Sequence, residues 1–402
     1  MKKHKADKRP IVVASAAIRK TLQQGHPWVY RNQLEPVRGQ MPRLRNGTWV
    51  TVVSGGYEGI GLWDEDSAIA VRVFATREQP DDRWIAQRVR EAWELRAPLR
   101  TEQTTAYRWV YGESDGLPGI VVDWYDGFAA ISLYASSVAT LVEPVLAALR
   151  DIAPLRGAVL RRTSDDESDT KTRVVEHLWG QRPDALTVLE NGLRFHVNLL
   201  EGQKTGLFLD HRDNRRYLEQ WCRDKRVLDC FAYTGAFALY AARGGAREIT
   251  TVDIAPASPT EVERNLQLNG FDPAPHHLVA QDSFAWLEQC VREKTRYDLI
   301  ILDPPSMARD KSSRYAAARA YIRLNRLALQ CLEPGGLLAT ASCTSQVSPA
   351  MFREALGEAA AQARVRLAIL HEAGHALDHP VAAHFPESRY LKFILARMRP
   401  AL

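Results

Sequence analysis

Five times after about residue 200, a short apolar run leads into a longer amphipathic stretch; the runs are RVLDCF, EITTVDI, HHLVAQD, YDLIILDPP and GGLLATASC. Runs this apolar must be covered on both faces, and helices threaded between them make right-handed crossovers between parallel strands. The alternation restricts this part of the chain to an α/β fold, a doubly wound sheet with a mostly parallel core. A further run, VRLAILHE, alternates well enough to be a sixth strand. Ligands in such sheets bind beyond the carboxyl ends of the strands. The residues at those ends are Asp229, Asp253, Asp282, Asp303 and Cys343.

The turn after the first strand, LDCFAYTGAFAL, has one glycine, Gly235, where a dinucleotide fingerprint has three. That disfavours a pyrophosphate cradle and, with it, a Rossmann dehydrogenase. A carboxylate at Asp229 would repel phosphate and attract the sulfonium and amino groups of S-adenosylmethionine. Asp253, 24 residues on, can bond ribose hydroxyls, and Asp282 can accept from the adenine amine. A helix N-cap explains any one of these acids. Three at successive strand ends fit one ligand better.

Proline disfavours the helical region for the residue before it, so Asp303-Pro304-Pro305 leaves strand four extended. The Asp303 carboxylate is thereby held near the reacting methyl, with Pro304 beside it. Cys343 ends strand five, forty residues beyond Asp303. A thiol next to a carboxylate suits methylation of a pyrimidine ring carbon, because C5 is a poor nucleophile until something adds covalently to C6. Amino-directed N6-adenine methyltransferases also carry DPP-like tripeptides but usually follow them with an aromatic residue, whereas Ser306 and Met307 follow here. A buried structural thiol is the plain alternative for Cys343, and the preferred reading of Cys222, Cys230, Cys290 and Cys331.

Upstream, residues 1–78 read as a small β-barrel built from IVVAS, GTWVTVVSGG, EGIGLW and AIAVRVFA. Within it a basic helix presents Arg19 and Lys20 ahead of a loop carrying His26 and Trp28, an arrangement that can hold RNA. The charge agrees: residues 1–47 hold eleven Lys/Arg against Asp7 and Glu35, a net +9 in a chain of +5 overall. Residues 79–104 form a helical linker that serves as a connector. Residues 105–200 form an α+β unit with a helix over 137–151, an exposed polar loop over 163–173 and a hairpin at Asn191-Gly192. Residues 201–402 carry the doubly wound sheet. No apolar run approaches the roughly 20 residues of a membrane span. With no secretory signal and no dense cysteine framework, the expected location is cytoplasmic. His371-Glu372-Ala373-Gly374-His375 matches a zinc-helix pattern, but Gly374 and Pro380 weaken the helix it needs, and no metal is expected.

The stretches GHPWVYRNQ, YGESDGLPGIVVDWY, KTGLFLDHRDNRRYL, DCFAYTGAF, DPPS, SCT and HFPESRYLK together span nearly the whole chain. In them the chain resembles the bacterial 23S rRNA 5-methylcytosine methyltransferases of the RlmI type. The resemblance implies an N-terminal PUA domain that binds RNA, a central α+β domain and a C-terminal class I methyltransferase domain. By position it makes Cys343 the nucleophile and Asp229, Tyr233, Gly235, Asp253 and Asp282 cofactor contacts. Phe208 and Asp210 close the cofactor pocket. Pro256 and Pro259 depart from the family in delaying the helix after Asp253. The implied substrate is naked or partly assembled 23S rRNA. The competing readings are 5-methyluridine formation, N6-adenine methylation and a noncatalytic rRNA-binding assembly factor; a homodimer is left open.

Overall fold

The computed structural model describes residues 9–37, 39–163, 173–200, 206–308 and 312–400. Residues 1–8 of the basic front end, most of the polar stretch 163–173 and Lys204 of KTGLFLDHRDNR lie outside the described residues.

The C-terminal half contains a seven-stranded sheet: β1 (Arg226–Cys230), β2 (Glu248–Asp253), β3 (His277–Ala280), β4 (Tyr297–Leu302), β5 (Leu332–Ser342), β6 (Val365–Ala373) and β7 (Lys392–Pro400). The order across it is β3-β2-β1-β4-β5-β7-β6. β1 to β5 run parallel, and β7 enters antiparallel between β5 and β6. Helices α1 (Arg212–Glu219), α2 (Ala236–Arg243), α3 (Ser258–Leu268), α4 (Ser283–Glu293), α5 (Arg314–Gln330) and α6 (Pro349–Gln362) cover it. Strand residues alternate between the two faces, which is why the runs are apolar throughout. Leu228, Ile300 and Leu338 pack with Tyr321 and Phe352 of α5 and α6. Val227, Ile301 and Ala339 pack with Leu218 and Phe237 of α1 and α2. The six anticipated strands are present; β7 was not anticipated. The order reverses between β1 and β4, which places the ligand crevice there.

In the N-terminal part, Ile11–Ala14, Trp49–Ser54, Tyr57–Trp63 and Ile69–Ala75 form a six-stranded sheet with two short strands the sequence reading missed, Trp28–Tyr30 and Leu34–Glu35. Val12, Val29, Val50, Val52 and Val71 build its core. The linker helix spans Asp82–Leu95. The central sheet has five strands, two of them the expected Ile120–Tyr125 and Phe128–Leu133. The helix predicted over 137–151 begins later, at Val142, because Ser136–Leu141 winds as a 3-10 turn.

The hairpin Ala185–Glu190/Leu193–Asn198 turns at Asn191 and Gly192, both at positive φ (50° and 83°) as a tight two-residue hairpin turn requires. It packs on the C-terminal half. His196 N donates to Asn265 Oδ1 (2.8 Å), Asn191 Nδ2 donates to the Tyr240 hydroxyl (2.8 Å), and Val188 and Phe195 share a core with Leu239 and Tyr240. The hairpin before the expected boundary at residue 200 is thus packed against the C-terminal half.

A buried ion network fastens the linker and central sheet to the loop between β6 and β7. Arg96, fully buried after the linker helix, forms a fork with Asp115 (2.8 and 2.7 Å) and donates to the Asp378 carbonyl (2.9 Å). Asp378 in turn takes a second fork from Arg212 (3.0 and 2.7 Å) and the amide of Arg108 (2.8 Å). The linker is thus more than a connector, since its last turn helps fix the loop that carries Phe385 and Tyr390.

Candidate active site

After β1 the chain turns through Phe231 (φ 62°), Tyr233 (φ 52°) and Gly235 (φ 80°). Bulky residues in the left-handed region mark strain that the surroundings must hold in place. Asp253 at the end of β2 holds it: one carboxylate oxygen accepts from Tyr233 N (2.9 Å), the other from Ala255 N (2.9 Å). At Gly235 a side chain is excluded, since a Cβ there would meet Val262 at 2.9 Å. Asp282 caps α4 by accepting from Ala285 N (2.9 Å). Capping and lining coexist, for Asp253 and Asp282 both face a cavity of about 1020 Å³.

Phe208, Asp210, Tyr233, Asp303, Pro304 and Cys343 line the same cavity. Two expected members do not. Gly235 shapes the turn behind the wall. Asp229 is 1% exposed inside β1, and among the described residues no cation lies within ion-pair distance of it. Burial, with Asp303 adding repulsion, pushes its carboxyl well above the ordinary range. Asp229 pairs with Thr251 and Ile301 in the register of β1 and is not among the residues that line the cavity.

The lining carries four carboxylates, Asp210, Asp253, Asp282 and Asp303, while its cation Arg215 is bound into a buried fork with Glu190 (2.8 Å). Ile254, 72% exposed, and Phe284 supply an apolar flank. An apolar cleft with acids at its edge fits adenosine and a cationic sulfonium; it does not fit a pyrophosphate.

Cys343 follows β5, and its thiol donates to the Pro304 carbonyl (Sγ to O 3.6 Å), which joins the two strand ends. His211, 2% exposed, places Nε2 at 3.2 Å from Asp303 Oδ1. Asn214 donates to His211 Nδ1 (3.1 Å) and to the Gly374 carbonyl (3.0 Å). The Nε2 contact with Asp303 is a close approach of the two side chains and not a hydrogen bond. Lys392, the first residue of β7, lies opposite Ser342 in register and donates to the carbonyls of Thr344 and Tyr390 (2.9 Å to the latter). Burial pulls its ammonium down to about 8, against the attraction of Cys343.

Beyond Cys343 lies a second cavity of about 350 Å³, which shares Phe208, Asp210, Tyr390 and Cys343 with the first. Trp28 from the N-terminal part, Arg108, Tyr111, Glu113, Val121 and Tyr134 from the central part, and Phe385 are among its walls. Trp28 Nε1 donates to Glu113 (2.8 Å), and its ring meets Phe385 edge-on at 4.6 Å. Of the four residues expected to contact RNA, Arg19 and Lys20 are exposed. Trp28 lines the second cavity, and His26 turns toward Glu387 (3.3 Å).

His371 and Glu372 sit in β6, so the helical spacing of a zinc motif is lost. His371 stacks on Tyr217 (3.8 Å), Glu372 pairs with Arg353 (2.6 Å), and His375 accepts from Leu391 N (3.1 Å). Sequence reasoning passed over His211, Lys392, Tyr390, Tyr111 and Glu113 as site residues. The signal was present, because all five fall inside the stretches that carry the resemblance.

The family of S-adenosylmethionine-dependent methyltransferases matches residues 117–380, and a PUA-like domain matches residues 11–76. The chain belongs to the S-adenosylmethionine-dependent methyltransferases. Ribosomal RNA large subunit methyltransferase I of Pseudoalteromonas translucida is 33% identical over 94% of this chain and 97% of its own length. The ribosomal RNA large subunit methyltransferase of Deinococcus radiodurans is 38% identical, with 94% of each chain covered. Among solved structures, SMU.776 complexed with SAH superposes with a TM-score of 0.85 at 26% identity, covering 96% of this methyltransferase and all (100%) of that chain. Trm5b from Pyrococcus abyssi, at a TM-score of 0.53 and 17% identity, shares the fold over 69% of the chain. The methyltransferase fold, the PUA-like domain and the S-adenosylmethionine cofactor expected from the sequence are thus borne out.

Proposed function

We propose that this methyltransferase forms 5-methylcytidine in 23S rRNA through a covalent adduct between Cys343 and C6 of the target base. The observation that carries the reading is the position of Cys343, at the junction of two cavities of different chemistry. The larger suits the cofactor, with Asp253 to bond the ribose hydroxyls and Asp282 to accept from the adenine amine; both line it. The smaller suits a single pyrimidine, because aromatic side chains offer stacking faces and Asp210 offers an acceptor. Its volume of about 350 Å³ is within the range of small-ligand pockets.

A base enters such a pocket only after leaving its stack, which favours naked or partly assembled rRNA as substrate. The relatives named above act on large-subunit ribosomal RNA. Exposed Arg19 and Lys20 in the basic front end can neutralise backbone phosphates. Among the described residues no helix is long and apolar enough to cross a membrane; the location proposed is cytoplasmic.

In the reaction, the Cys343 sulfur forms a bond to C6, and the C5=C6 electron pair shifts toward C5 and the N3/N4 edge. Asp303, packed against His211 (3.2 Å), hydrogen-bonds that edge and stabilises charge developing there. S-adenosylmethionine, when bound, supplies the methyl group that C5 takes up. Loss of the C5 proton then returns the C6–S pair to sulfur and frees the base.

Nucleoside analysis of 23S rRNA treated with wild type and with Cys343→Ala tests the assignment. The expected result is 5-methylcytidine with wild type and a loss of at least about 10³-fold in the variant. Undiminished 5-methylcytidine from Cys343→Ala would refute the adduct. A product of 5-methyluridine or N6-methyladenosine would instead replace the base, and no methylation at all would favour an assembly factor.

A further inference from the structure

Lys392 takes no part in the steps above, yet its placement needs an explanation. The residue is 5% exposed. Its Nζ donates to two backbone carbonyls, those of Thr344 and Tyr390, and among the described residues no carboxylate lies within ion-pair distance. An ammonium taken out of water without an acid partner is unfavourable unless another anion compensates. The neighbouring acids are engaged elsewhere: Asp303 faces His211, and Asp210 accepts from the Tyr390 hydroxyl (2.5 Å). The geometry sets Lys392 beside Cys343: its Nζ is bonded to the carbonyl of Thr344, the residue after the thiol, and to that of Tyr390, which lines the same cavity as Cys343.

We propose that Lys392 is a positioning residue for the nucleophile, its buried ammonium being the counter-ion of the Cys343 thiolate. The proposal rests on the reading of Cys343 as nucleophile and adds how the thiol is activated. The protonated thiol donates to the Pro304 carbonyl; on ionisation that bond is given up and the ammonium compensates the charge left on sulfur. While sulfur is bonded to C6 it is uncharged, and the ammonium is held by its two carbonyls. When the C6–S bond breaks, the electron pair returns to a sulfur whose charge is already matched, which favours release.

The other titratable groups around the pair set the sign. Asp303 at the end of β4 and Asp210 in the turn before α1 are acids, and each opposes a thiolate. Tyr321 of α5 and Tyr390 keep their phenol protons, because burial raises both above the ordinary value. His211 lies against Asp303. Lys392 is thus the group in the cluster that favours ionised sulfur.

The test needs neither RNA nor cofactor. Iodoacetamide alkylation of the full chain is followed against pH by mass spectrometry of the Cys343 peptide; the other four cysteines are buried. Wild type is expected to titrate below the free-thiol value of about 8.5. Lys392→Met should move the midpoint up by about 1–3 units, the effect of removing a close opposite charge, and Lys392→Arg should stay near wild type. A wild-type midpoint at or above that of a free thiol overturns the proposal, as does a Lys392→Met midpoint that coincides with wild type. Should Lys392→Met not fold, wild type and Lys392→Arg still decide. If the midpoints shift as stated while Cys343→Ala keeps full methylation, the ion pair stands and the nucleophile reading falls.

Discussion

Replacing Asp378 by Asn keeps the shape of the keystone in the buried network and removes its charge. Arg212 and Asp378 are 1% and 0% exposed, so water cannot take over the lost partner. The new amide would set its NH₂ against a guanidinium that also donates. Breaking a buried pair on one side costs about 3–5 kcal/mol. Arg212 retains the Ala106 carbonyl (3.2 Å) and Glu190 at 3.8 Å, which puts the expected cost at the lower end. The central and C-terminal parts that share the pair span about 300 residues, for which the unfolding entropy is roughly 0.6 kcal/mol/K. The melting midpoint should therefore fall by about 5 °C, read by circular dichroism on the full chain. Burial alone would raise the Asp378 pKa, but Arg212 and His379 hold it well below the ordinary range. A depressed carboxyl contributes stability that is complete above its unfolded value of about 3.9 and lost as pH falls through its folded value. The gap between wild type and Asp378→Asn should thus stay constant from about pH 8 to pH 6. A drop under about 2 °C, or a gap that closes across that range, would show that the network is not what fastens the loop.

Asp253→Asn exchanges a charged acceptor for a neutral one at the turn after β1. S-adenosylmethionine should bind about 10- to 100-fold more weakly in calorimetry, the worth of a charge-assisted hydrogen bond, and unchanged affinity would remove Asp253 from the cofactor site. Val121, 7% exposed, lines only the smaller cavity. Val121→Trp should lower rRNA methylation by about 10²-fold, as misplacement of a reacting base does, with cofactor affinity unchanged as the check on folding. Full activity in that variant would show that the base is held elsewhere.

The C-terminal sheet was legible because burial on both faces writes itself into continuous apolar runs, as in YDLIIL and GGLLATA. β7 was missed since KFILARMR follows a loop rather than a helix, and nothing local marks an antiparallel return. Strand-end logic located Asp253, Asp282, Asp303 and Cys343 at the cavity, because the end of a parallel strand is a position that sequence can count. Asp229, at the equivalent end of β1, is buried and does not line the cavity. Lys392 and His211 were invisible to that logic, for one reaches the thiol across a strand pair and the other from a short helical turn. Trp28 read as an RNA contact. Its partners Glu113 and Phe385 come from distant parts of the chain, and no local pattern foretells such a meeting.

The indole of Trp28, bonded to Glu113 and edge-on to Phe385, means that the smaller cavity has no single owner. A catalytic half cut away from its N-terminal companion would keep a place for the methyl donor and lose a wall of the room next door. The two parts of the chain therefore share one cavity rather than each owning its own. The PUA-like part contributes Trp28 to a wall of the cavity that Cys343 also lines, so a shift of that part reaches the thiol within a few side chains.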